Sequence, residues 1–117
     1  MCITMYHNPR WGKSRKTLQL LRDNGHEPNI IEYLKNPPSA NDIYTICKFL
    51  SKDPINIIRT SEKLYKDLNI NDNDMDWDDD DLINAMVKFP KLLERPIVIR
   101  GEKGIIGRPP EKVLELL

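Results

Sequence analysis

A strand–helix–strand unit at the N-terminal end constrains this chain more than any other feature in it. Met1 to Tyr6 reads as a short strand that runs into a turn at Asn8-Pro9. Gly12 to Asn24 then reads as a helix, with Leu18 and Leu21 three apart and Leu20 beside them. Gly25 sits where a left-handed helix cap is usual. Ile30, Ile31, Tyr33 and Leu34 make a second apolar run, stopped by Asn36-Pro37-Pro38. Two strands joined through one helix lie parallel, and the crossover is right-handed in nearly every case.

The middle of the chain is helical. Ser39 caps a helix with Asp42 as its capping-box partner. Its apolar residues Ile43, Ile46, Cys47 and Leu50 recur on one face. Asp53-Pro54 starts a short helix carrying Ile55, Ile58 and Arg59, since proline suits the first helical position. Another helix is expected over about Glu62 to Leu68, with Leu64, Tyr65 and Leu68 on one side. The acidic stretch Asp72 to Asp81 leads into a helix carrying Leu82, Ile83, Met86 and Phe89. After Pro90 the period changes: Pro96 to Arg100 and Gly104 to Gly107 flank a turn at Gly101-Glu102-Lys103 and read as a β-hairpin. Pro109-Pro110 opens a last helix, with Val113, Leu114 and Leu117 expected inward. The element order βαβ, helices, ββα predicts an α/β fold of the thioredoxin-like kind. Its mixed four-stranded sheet would be flanked by helices, with a helical insertion over about 36–93 between the βαβ and ββα halves. The 117 residues would form one domain, 1–117.

Composition narrows the function. Lys and Arg number 18 and Asp and Glu 18, so net charge is zero. A surface built for nucleic acid or an anionic membrane needs a basic excess, and neither partner is expected. No apolar run approaches the ~18 residues of a membrane span, and the N-terminus lacks the basic start and apolar stretch of a signal peptide. A cytoplasmic monomer is expected. Cys2 and Cys47 make neither a disulfide framework nor a zinc site. Asp72, Asp74 and Asp76 invite a calcium reading, but Trp77 stands where an EF-hand loop needs glycine and Ile83 where it needs glutamate. No metal is expected; Asp78 to Asp81 suit a helix N-terminus instead.

The chemistry lies in His7-Asn8-Pro9-Arg10-Trp11-Gly12-Lys13-Ser14-Arg15, between the first strand and the first helix. A helix starting at Gly12 aims unpaired N–H groups and partial positive charge into that turn. Gly12 permits close approach, and Lys13, Ser14 and Arg15 add donors and charge. The pattern suits a tetrahedral oxyanion, although an ordinary capped helix has the same local signature.

Further motifs accompany this loop: Tyr33-Leu34-Lys35-Asn36-Pro37-Pro38-Ser39, Ile58-Arg59-Thr60, Arg95-Pro96-Ile97-Val98-Ile99 and Gly107-Arg108-Pro109-Pro110-Glu111-Lys112-Val113. In content and order the whole chain resembles the glutathione/glutaredoxin-dependent arsenate reductase family. That resemblance implies a thioredoxin-like fold. It also implies a cysteine thiolate just before the glycine that attacks arsenate, and reduction to arsenite completed by glutathione and glutaredoxin with no bound cofactor. It assigns Arg59, Arg95 and Arg108, with Gly12, to the oxyanion, and His7 and Ser14 to tuning the nucleophile. Pro96 would be the cis-proline facing the loop.

At the nucleophile's position this chain has Trp11. Indole nitrogen is a donor only and cannot replace a thiolate. Cys47, on an apolar helix face, reads as a small buried hydrophobe. Cys2 begins the strand whose far end carries the loop, about 15 Å away. The expectation is therefore an arsenate reductase family protein that is inactive as written. The alternatives are a non-catalytic thioredoxin-fold binding or regulatory module, and a passive binder of arsenate or a similar oxyanion.

Overall fold

The structure is a computed structural model that describes residues 2–68, 70 and 77–117. Asp72, Asp74 and Asp76, weighed above for calcium, lie outside the described residues. The chain divides into two compact units. One comprises residues 1–37 and 95–117, the other 38–94.

In the first unit, β1 (Ile3–His7), α1 (Gly12–Asp23) and β2 (Asn29–Glu32) are followed by β3 (Ile97–Arg100) and β4 (Lys103–Ile106). The sheet order is β2-β1-β3-β4. β1 runs parallel to β2, with Met5 opposite Ile30. β3 is antiparallel to β1, with Met5 opposite Val98, and β4 is antiparallel to β3, with Val98 opposite Ile105. This is the mixed four-stranded sheet of the predicted α/β, thioredoxin-like arrangement.

Its core is one cluster. Ile3, Met5 and Val98 of the sheet pack with Leu18 and Leu21 of α1 and with Val113, and Leu20, Ile30, Ile105 and Leu116 close the edges. Each such aliphatic side chain, fully buried, contributes about 1.5–3 kcal/mol. α1 ends as its sequence implies. Gly25 takes φ 82, its amide donates to the Arg22 carbonyl, and the His26 amide donates to the Leu21 carbonyl. That is the paired pattern of a glycine C-cap.

Two details differ from the sequence reading. β2 stops at Glu32, and Leu34 is exposed. The C-terminal helix is a 3₁₀ helix, Pro110–Leu116, with Leu114 and Leu117 both exposed. Three residues per turn stack Val113 above Leu116, so Leu116 takes the inward place that α-helical spacing gives to Leu117. The Leu116 carbonyl in turn accepts a hydrogen bond from Arg100 Nη1 at 3.0 Å.

The second unit holds α2 (Ala40–Leu50), a 3₁₀ turn at Pro54–Ile57, α3 (Lys63–Asp67), α4 (Asp79–Lys88) and a 3₁₀ turn at Pro90–Leu92. Ser39 and Asp42 form the predicted capping box on α2, and Asp78 and Asp81 form a second on α4. Ile43, Ile46, Cys47 and Leu50 are buried, as are Leu82, Ile83 and Met86. The 3₁₀ turn ends before Ile58, which bridges to Leu93 instead of continuing a helix. The Arg59 amide donates to the Leu92 carbonyl at 2.7 Å and the Glu94 amide to the Ile57 carbonyl at 2.8 Å. Extended pairing thus satisfies backbone groups that the expected helix would have paired internally.

No helix among the described residues is long and apolar enough to cross a membrane.

Candidate functional site

Sheet topology decides which residues meet. β1 ends at His7 with Tyr6 opposite Ile97, and Ile97 is opposite Ile106 on β4. The end of β1, the start of β3 and the end of β4 therefore share one edge of the sheet. The loop 8–11 leaves from the first, Arg95 enters the second, and Arg108 follows the third.

The loop is wound tightly onto the first turn of α1. Asn8 Oδ1 accepts from the Arg10 amide at 3.1 Å, and the Asn8 carbonyl accepts from the Trp11 amide at 3.1 Å. Trp11 is the N-cap residue, extended at φ −103, and its side chain makes no cap hydrogen bond. Its carbonyl accepts from the amides of Ser14 and Arg15, 3.1 Å each. Among the described residues, the Gly12 and Lys13 amides are the first-turn donors left without an acceptor.

α1 begins with no acidic residue in its first turn, whereas α4 begins with Asp79, Asp80 and Asp81. Lys13 and Arg15 instead put cations where the helix dipole disfavours them. A Cβ built on Gly12 would meet only the Arg15 guanidinium, at 3.7 Å. The fold itself leaves room for a side chain at 12.

Two guanidiniums centre on the Trp11 ring. Arg95 lies 4.5 Å from the ring centroid and Arg108 5.5 Å, with Lys13 Nζ at 6.0 Å. All three are within cation–π range. Arg95 Nε is buried and has no hydrogen-bond partner. The Arg95–Pro96 peptide is cis, and so is Arg108–Pro109, which sequence reading did not anticipate.

His7 and Ser14 also meet. His7 Nδ1 and Ser14 Oγ share a hydrogen bond of 2.7 Å, and Ser14 Oγ accepts from the Asn8 amide at 3.1 Å. Both side chains are buried. Burial holds the His7 pKa below its ordinary value; Glu32 opposes that shift, while Arg22 and Arg15 reinforce it. A neutral imidazole bonded to a serine hydroxyl fixes the loop against the helix. A cavity of about 290 Å³ opens beside the loop, lined by His7, Asn8, Arg10, Glu32 and Lys35 among others.

Gly107 marks a close packing contact beside the site that the sequence reading did not single out. A Cβ there would stand 2.9 Å from Thr17 Oγ1 and 3.0 Å from Pro96 Cγ. Its amide donates to the Pro96 carbonyl at 2.8 Å. Glycine lets the chain pass between α1 and the cis-proline, and so delivers Arg108. The signal was present in the Gly-Arg-Pro-Pro run, but the close approach is to residues far away in sequence.

Arg59 belongs to the second unit. Its Nη1 donates to Glu62 Oε2 at 3.1 Å, its Nε is buried without a hydrogen-bond partner, and Lys91 lies 4.0 Å from the same carboxylate. Of the two thiols, Cys2 is exposed before β1, and Cys47 is buried in α2 with its pKa pushed up to about 11 by burial, then by Asp79 and Asp53. Among the described residues there is no group of three or more metal-binding side chains.

Comparison with known proteins gives three concordant results. A model of the ArsC family matches residues 6–116. The chain is 46% identical over 116 residues to the uncharacterized protein YfgD of Escherichia coli strain K12, covering 98% of this chain and 96% of that one. It is 44% identical over 118 residues to an arsenate reductase of Haemophilus influenzae, covering 100% of both. Among solved structures, an arsenate reductase from Vibrio cholerae aligns with TM-score 0.94 at 42% identity, over 100% of this chain and 98% of that one.

Proposed function

Because the chain belongs to the ArsC family, we propose that it binds arsenate at the start of α1 without carrying out thiol chemistry there. The observation that carries this reading is the convergence of Arg95 and Arg108, 4.5 and 5.5 Å from the Trp11 ring. Cations brought together from two strand ends beside free helix N–H groups make a site for an oxyanion. Gly12 leaves its backbone open to the ligand.

Trp11 occupies the nucleophile's position, so the bond from sulfur to arsenic has no sulfur. Neither thiol of the chain substitutes for it. Cys47 is held in the protonated form well above neutral pH, and Cys2 lies at the opposite end of β1 from the loop. The His7–Ser14 pair, which would tune a thiolate at 11, serves here to fix the loop. Arsenate is the ligand, and glutathione with glutaredoxin is the reductant system that a restored cysteine would use. Such a chain works in the cytoplasm, where that system operates.

The test is an arsenite-formation assay on the chain beside Trp11→Cys, each with glutathione and glutaredoxin. Trp11→Cys is expected to form arsenite and to need both thiol partners, and the unaltered chain to form none. Arsenite from the unaltered chain, or a Trp11→Cys protein that forms no adduct with arsenate, overturns the reading.

A further inference from the structure

We infer that Trp11 determines the specificity of this site: its ring is a platform for the site's cations, and it makes the site a reversible receptor for tetrahedral dianions as a class. This rests on the oxyanion reading above and adds to it the role of residue 11 and the range of ligands.

Guanidinium is planar and weakly hydrated, and it stacks by its face while its five N–H donors point outward in the plane. Arg95 lies 4.5 Å from the Trp11 centroid, and Arg108 and Lys13 approach the same ring at 5.5 and 6.0 Å, all within cation–π range. The negative face of the ring offsets the mutual repulsion of three cations gathered before any ligand arrives. A ring takes a guanidinium by its face, and an oxyanion takes it by its edge. Ring and ligand therefore do not compete for the same donors. The unpartnered, buried Nε of Arg95 is one such edge donor.

The ligand class follows from the chemistry that is missing. A thiolate selects arsenate by forming a bond to arsenic. A ring surrounded by donors selects by charge and shape, and arsenate, phosphate and sulfate share both. A planar monoanion such as nitrate shares neither.

Calorimetric titration of arsenate, phosphate, sulfate and nitrate into the unaltered chain, Trp11→Phe and Trp11→Ala tests this. The three tetrahedral anions are expected to bind the unaltered chain within about tenfold of one another, and nitrate more weakly than any of them. Trp11→Phe, which keeps a ring face, should stay within about threefold. Trp11→Ala should lose about tenfold, the loss expected when the cation–π contacts to the ring disappear. Circular dichroism and thermal melting of both variants establish that they are folded.

Tighter binding by Trp11→Ala would make the ring a plug and overturn the inference while leaving the oxyanion site intact. Equal affinity of all three proteins, or binding of arsenate alone, would overturn it too. If no anion bound the unaltered chain, the oxyanion reading itself would fail and the receptor with it. A second readout uses Trp77→Phe, in which Trp11 is the one remaining tryptophan. Its emission should change saturably with sulfate, at the calorimetric midpoint. Flat emission during measured binding would place the anion away from the ring and contradict the inference.

Discussion

His7 is where packing most directly sets a protonation state. The imidazole is buried and bonded to Ser14 Oγ at 2.7 Å, and burial lowers its pKa from the ordinary 6.5. The unfolded chain therefore takes up this proton before the folded one does. As pH falls through 6.5 the unfolded state gains protons relative to the native state, and stability falls until the folded imidazole is protonated as well. Above that region the contribution is complete and flat. Urea midpoints measured from pH 7.5 down to pH 5 should decline more steeply for the unaltered chain than for His7→Asn. Parallel curves would show that His7 titrates alike in both states. The sequence placed His7 and Ser14 near one another through the loop resemblance. It did not reveal that they bond directly, because that depends on how the Asn8 side chain and backbone fold the loop onto α1.

At the scale of elements, what was legible depended on how local the signal was. The capping box of Ser39 and Asp42, the buried face of α2 and the glycine cap at Gly25 are set within a few residues, and each is present. The C-terminal helix was misread because Val113, Leu114, Leu116 and Leu117 fit either helical period. Packing against α1 and β3 selected the tighter one. Gly107 depended on neighbours that its sequence context could not name. Its contacts give a specific expectation. In Gly107→Ala the new methyl meets Thr17 and Pro96 at about 3 Å, so the variant should lose about 1–3 kcal/mol, as overpacked sites do. Urea denaturation measures the loss. Chemical-shift changes should reach Arg108 and the first turn of α1. A variant as stable as the parent would mean that this crossing yields easily and does not position Arg108.

Over the whole molecule, Arg95 and Arg108 are individually ordinary arginines. What joins them is strand order: β3 begins and β4 ends at the sheet edge from which β1 sends the loop toward α1. The order of elements made that edge predictable from sequence; the family motifs pointed to Arg95 and Arg108, which flank it, and to Arg59, which belongs to the second unit. That two guanidiniums approach one indole was not legible, because it depends on which chain segments meet at that edge and not on the loop's own sequence. On the function proposed above, arsenate sits among those cations with no covalent bond to the chain. Anomalous diffraction at the arsenic edge, from crystals soaked in arsenate, tests it most directly. One arsenic peak is expected at the start of α1, within hydrogen-bonding reach of the Arg95 and Arg108 guanidiniums and bonded to four oxygens alone. No arsenic there, or arsenic bound to either cysteine, would contradict it.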